Sequence, residues 1–218
     1  MAAMSDPRAT VTVSGTGRAT RSPDVADATF VAEAVRQTAV EARGAAAEIA
    51  GAVLAALGGA GVAAEDLRTA GLDVSPTWEH DGTRMVRTGF TVTNRIAATV
   101  RDLERVGRVI DAGLEAGATG LEGVRFRLED EGPAAADARR EAVADARRRA
   151  TTIAEALGGR LGPLLSIGEA QPAGVTPFRE AKVALMAASD TPTPVLAGAV
   201  EVVISVTGEW VVLPAGIG

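Results

Sequence analysis

Residues 68–100 read RTAGLDVSPTWEHDGTRMVRTGFTVTNRIAATV, and the fold follows from how this stretch divides. Asp81-Gly82 separates two long extended arms, 68–79 and 84–100. Asp-Gly is a strong hairpin signal, because glycine accepts the positive φ that a tight turn demands. In the second arm Phe90, Val92, Asn94, Ile96 and Ala98 share one face, while Thr91 and Thr93 take the other. That period of two marks a half-buried strand.

Upstream of the hairpin, residues 38–58 carry Val40, Ala47, Ile49, Val53, Leu54 and Leu57 at helical spacing, and Gly58-Gly59 ends the run. Before that helix, 25–36 alternates through Val25, Ala28, Phe30 and Val35 as a strand, entered from the turn Ser22-Pro23-Asp24. Downstream, 101–116 predicts a second helix with Leu103, Val106, Val109, Ile110 and Leu114 on one stripe and Gly117 as its stop. Residues 121–129 predict a strand through Val124, Phe126 and Leu128. The order over 25–129 is therefore β-α-β-β-α-β, a ferredoxin-like core of two helices over a four-stranded antiparallel sheet.

Further elements flank this core. Residues 9–17, ATVTVSGTG, alternate as a strand, and Gly15 and Gly17 signal a bend or a close backbone approach. Residues 133–157 form a long third helix with Pro133 in its first turn and Gly158-Gly159 beyond its end. Strands follow at 160–169 and at 199–212, the latter through Val200, Val202, Ile204, Val206 and Val211. The expected class is α+β: the ferredoxin-like core, a long third helix and a small additional antiparallel sheet from the N- and C-terminal strands. The expected organisation is a flexible N-terminus at 1–8 and a domain at 9–212. That domain holds the 25–129 core and a second subdomain of 9–17 plus 133–212, with a loop at 170–197. Residues 213–218 are a C-terminal tail.

On the third helix Ala134, Ala138, Ala142, Ala146, Ala150 and Ala154 recur every fourth residue. The seam suits close packing of another backbone, and it equally suits plain helix propensity in an Ala-rich chain. Arg139, Arg140, Arg147, Arg148 and Arg149 interleave with Asp137, Glu141, Asp145 and Glu155, the pattern of a solvated, ion-paired face.

Composition narrows the function classes. Net charge is -6 and pI about 5.0, which argues against nonspecific nucleic-acid binding, and no aromatics accompany the basic helix. Cysteine is absent, so disulfides, thiol nucleophiles and thiolate metal sites are absent too. Aromatic residues make up only 3% of the chain, which leaves a core of Val, Leu, Ile and Ala. Small side chains bury less area each, at about 25 cal/mol per Å², so burial between copies would add stability. No stretch approaches the roughly 20 apolar residues of a membrane span. Met1 to Thr10 shows no apolar signal segment, so a cytoplasmic location is expected for the chain as written.

No catalytic set, cofactor site or metal site is expected. Gly15-Thr16-Gly17-Arg18 lacks the third glycine and the Lys-Ser/Thr pair of a phosphate loop. His80 is the sole histidine, and in Glu79-His80-Asp81 neighbouring side chains on a strand diverge. Glu129-Asp130-Glu131 suits the start of the third helix. Trp78 and Trp210 read as core residues, with an exposed Trp at a subunit contact as the sharper alternative. Residues 170–197 have no clear period, yet Val183-Ala184-Leu185-Met186 is apolar and is expected to dock on a neighbour. The candidate oligomer interface is Leu185, Met186, Val200 and Val202, and an open sheet edge is a further route to association.

The ordered set of these features resembles the SIMPL-domain family, the YggE-like proteins that include a bacterial periplasmic immunogenic protein. The resemblance runs over about 9–212. It rests on Val11-Thr12-Val13-Ser14-Gly15-Thr16-Gly17, Ser22-Pro23-Asp24-Val25-Ala26, Thr69-Ala70-Gly71-Leu72, Val74-Ser75-Pro76 and Gly89-Phe90 with Asn94. It continues through Asp102-Leu103, Gly107, Ile110-Asp111-Ala112, Phe126, Ala156-Leu157-Gly158, Met186, Pro192 and Val200-Glu201-Val202. The resemblance implies homo-oligomerisation, in some members into large assemblies, and an association with the cell envelope and oxidative stress; many relatives are periplasmic or secreted. It brings no catalytic residues. The leading functional expectation is a non-enzymatic, self-assembling, structural or stress-associated protein. A small-molecule or peptide binding module is second, and an enzyme using carboxylates such as Asp24, Glu79 or Asp81 is last.

Overall fold

The computed structural model describes residues 9–169 and 193–214. Among the described residues three helices and seven strands interleave, and the strands form two antiparallel sheets. The elements are β1 (Thr10–Arg21), β2 (Val25–Arg36), α1 (Ala39–Gly59), β3 (Leu67–His80), β4 (Met85–Val100), α2 (Val106–Glu115), β5 (Gly120–Arg127), α3 (Gly132–Ala156), β6 (Gly159–Glu169) and β7 (Val200–Pro214). The class is α+β, as the periodicities predict. Two compact units divide the chain: one holds β1, α3, β6 and β7, and the other holds β2 to β5 with α1 and α2.

In the β2–β5 unit the sheet order is β3-β4-β2-β5, the ferredoxin-like arrangement. The hairpin turns where Asp81-Gly82 predicts, with Gly82 at φ 88 and the Asp81 amide donating to the Arg84 carbonyl at 3.1 Å. α1 starts with a capping box, in which Thr38 Oγ1 accepts from the Glu41 amide and Glu41 Oε2 from the Thr38 amide, both at 3.3 Å. Its buried stripe differs from the expected one. Ala42, Ala46, Ala50, Val53 and Leu57 face inward, while Val40 is 72% exposed. The large apolar residues dominate the periodic signal, but the small ones let the helix sit close to β2 and β4. α2 is shorter than expected because Leu103–Arg105 forms a separate tight turn, with Asp102 Oδ1 accepting from the Glu104 amide at 3.2 Å. Phe30, Leu57, Ile96, Val109 and Ile110 make the centre of this core. Gly113 of α2 faces the Phe30 ring, on which a Cβ would fall.

In the other unit β7 lies between β1 and β6. β1 runs on through Gly15 and Gly17 to Arg21 in unbroken register with β7, so the glycines mark a close approach and no bend. A Cβ on Gly15 would fall on the Ala142 carbonyl oxygen and the Ala146 amide nitrogen, and one on Gly17 on the corresponding groups of Ala138 and Ala142. All six seam alanines are 0–2% exposed. The seam is therefore a packing seam, and its propensity is a secondary benefit.

Candidate interaction surfaces

Val200 and Val202 lie on the inner face of β7 with Ile204, Val206 and Trp210, and they are only 5% and 6% exposed. The alternation that singles them out is core alternation, so as placed they offer no surface to a partner. Leu185 and Met186 lie outside the described residues. The last part of the 170–197 stretch packs on its own chain: Asp111 of α2 accepts from the Thr193 amide at 3.1 Å and from Thr193 Oγ1 at 2.5 Å. Gly107 leaves room for the Thr193 carbonyl, and Val195 joins the core of that unit.

The carboxylates weighed for chemistry have structural partners or sit at a hairpin tip. Asp24 Oδ1 accepts from the Glu129 amide at 2.7 Å. Asp81 closes its turn with Thr83 and pairs with Arg84, and Glu79 and His80 lie beside it at the exposed end of the hairpin. Trp210 is buried, whereas Trp78 is half exposed. Among the described residues no cluster of three or more His, Asp or Glu side chains could hold a metal ion, and no helix is long and apolar enough to cross a membrane.

A charged network at one end of the four-stranded sheet is not apparent from the sequence. Arg101, one residue past β4, binds Asp66 through Nε at 2.8 Å and Nη2 at 3.0 Å, and Glu129 through Nη1 at 2.5 and 2.6 Å. These residues sit 28 to 35 positions apart in sequence, so only the pairing of strands reveals the contact. The two carboxylates hold the guanidinium pKa above its usual value. On β2, burial pushes the Asp27 carboxyl up, but hydrogen bonds from Arg127 and Thr99 and the charges of Arg127 and Arg68 outweigh it and hold the pKa below the ordinary value.

The outer edge of β1 is occupied by α3. The Thr16 amide donates to Asp145 Oδ2 at 3.0 Å and the Arg18 amide to Glu141 Oε2 at 2.6 Å. The Ser14 carbonyl accepts from Arg149 Nη1 at 3.2 Å. Further along, Arg21 pairs with Asp137. Four residues of helix advance about 6 Å and two of strand about 6.6–6.8 Å, so a helical row at i, i+4, i+8 meets alternate strand residues. The expected ion pairs within the helix are present too: Asp137 with Arg140, and Asp145 with Arg148 and Arg149. Sequence reasoning nevertheless misses the row's contact with β1, which depends on the helix lying against that strand.

An apolar stripe at the edge of the four-stranded sheet is left open. β3 is an edge strand carrying Leu72 at 60%, Val74 at 50% and Trp78 at 51% exposure, and Met85 at the start of β4 is 60% exposed. Val74 pairs with the fully buried Val92, on the face that α1 covers over β4 but leaves bare over β3. Met85 to Gly89 pair with β3 alone, because β2 pairs only with 90–100.

The family model described as "SIMPL: Protein of unknown function (DUF541)" matches residues 11–210. The chain belongs to the SIMPL family. It is 32% identical over 200 residues to the "26 kDa periplasmic immunogenic protein" of Brucella abortus (strain S19), covering 87% of this chain and 79% of that one. The Brucella melitensis protein of the same name is equally similar. "Uncharacterized protein YggE" of Escherichia coli (strain K12) is 22% identical over 185 residues, covering 83% of this chain and 75% of that one. The family is of unknown function, and none of these names is that of an enzyme.

Proposed function

We propose that this SIMPL-family protein is a non-enzymatic, self-associating protein with a structural, assembly or stress-associated role. The observation that carries the reading is the open apolar stripe of Leu72, Val74, Trp78 and Met85 at the β3 edge. A two-stranded arm with exposed Trp and Met gains stability when covered, and Trp is enriched at interface hot spots. Asp24 is committed to a structural bond and Glu79 and Asp81 sit at an exposed tip, which further favours a non-catalytic role. Residues Leu185 and Met186 remain candidate contacts. The relatives' printed names favour an envelope setting over the cytoplasmic one expected from Met1 to Thr10.

Size-exclusion chromatography with light scattering tests the reading on the full chain. The expected mass is a multiple of 22.1 kDa, and Leu72→Glu with Val74→Glu is expected to lower it. A wild-type protein that stays at 22.1 kDa up to high micromolar concentration overturns the proposal.

A further inference from the structure

We propose that the outer edge of β1 is a latent strand-addition surface, and that the α3 row Glu141, Asp145 and Arg149 keeps a second copy's β1 from pairing with it. An edge strand presents unpaired amides and carbonyls that template another strand unless something covers them. Here the covering groups are side chains of the same chain. The amides of Thr16 and Arg18 and the carbonyl of Ser14 point away from β7 and are taken by Asp145, Glu141 and Arg149. These are the groups that an added antiparallel strand would need, so α3 and a second strand compete for one set of hydrogen bonds.

The occupant follows from the strand itself. Residues 10–17, TVTVSGTG, are uncharged and rich in β-branched residues, a composition prone to pair with its own kind. An antiparallel self-pairing centred on Gly15 sets Ser14 against Thr16 and Thr12 against Arg18. All four are outward-pointing residues of even number, as a hydrogen-bonded ladder requires. No like charges are opposed in that register, since Arg18 faces Thr12 and Thr10 faces Thr20. Gly15 and Gly17 serve the same closure from another side. By admitting the α3 backbone, they place its carboxylates within reach of the edge.

The test compares the wild-type full chain with Glu141→Ala/Asp145→Ala, by light scattering and by amide hydrogen exchange. Loss of charge-assisted bonds is expected to speed exchange at Thr16 and Arg18 by about tenfold in the smallest species. The variant is also expected to populate a species of twice the wild-type mass, in which those two amides are protected again. Glu141→Met/Asp145→Leu, which keeps side-chain volume and carries no acceptor for these amides, provides the same readings if the alanine variant fails to fold. Unchanged exchange at Thr16 and Arg18 would overturn the proposal. So would faster exchange with no gain in mass, because the edge would then be open and not adhesive. The comparison is with wild type, so the result stands whatever the wild-type subunit number proves to be.

Discussion

At the scale of single residues, the glycines of β1 set the packing of one unit. A methyl group at Gly17 has no empty space to enter, because its neighbours are helix backbone that cannot rotate away. Gly17→Ala is therefore expected to lower stability by about 3 kcal/mol, read as a fall in the urea midpoint. Gly44 gives the contrast. It lies in α1 with nothing near its missing Cβ, so Gly44→Ala is expected to raise stability by up to about 1 kcal/mol. Equal effects at the two positions would mean that helix propensity, and not close approach, governs both. The sequence marks Gly15 and Gly17 as special, and it leaves open whether they bend the strand or admit a neighbour. That choice depends on a residue more than a hundred positions away, which no local pattern encodes. Asn94 teaches a similar lesson: it sits in an apolar alternation between Val92 and Ile96, and its buried Oδ1 finds no hydrogen-bond partner among the described residues.

At the scale of elements, ion pairs join strands that are remote in sequence. Asp27 of β2 receives Arg127 of β5 at 2.6 Å and Thr99 of β4 at 2.8 Å. Its pKa is held below the unfolded value, so its contribution to stability is fully present above that value and is lost as pH falls through the folded one. Asp145 behaves in the same direction, chiefly through the Thr16 amide. Arg127→Met removes the hydrogen bond and charge that offset burial, so the Asp27 pKa is expected to rise. The variant should then be less stable than wild type at neutral pH, with the gap narrowing on acidification, so that its acid limb is shallower. Urea midpoints measured from pH 6 down to pH 2 check this, and coincident acid limbs would remove Arg127 as the cause. Periodicity makes the helices legible, but it points to a different stripe of α1 from the one that is buried. Ala weighs little in a hydrophobic pattern, while in the structure it is the residue that permits contact.

At the scale of the whole molecule, two cores share one chain, each with its own sheet. Gly17→Ala is expected to speed amide exchange in β1, β6 and β7 more than in β2 and β4; a uniform acceleration would mean that both cores open as a single unit. Self-association belongs to this scale as well, and light scattering of the Leu72→Glu/Val74→Glu variant addresses it. The sequence by itself determined the order and type of the elements, the hairpin turn at Gly82 and the family. These rest on local periodicity, turn chemistry and ordered motifs, all of which are short-range. Tertiary structure alone decided which faces are buried, which side chains close the β1 edge and where Val200 and Val202 point. Those outcomes depend on residues brought together from distant parts of the chain, and periodicity along one element carries no information about what packs on it.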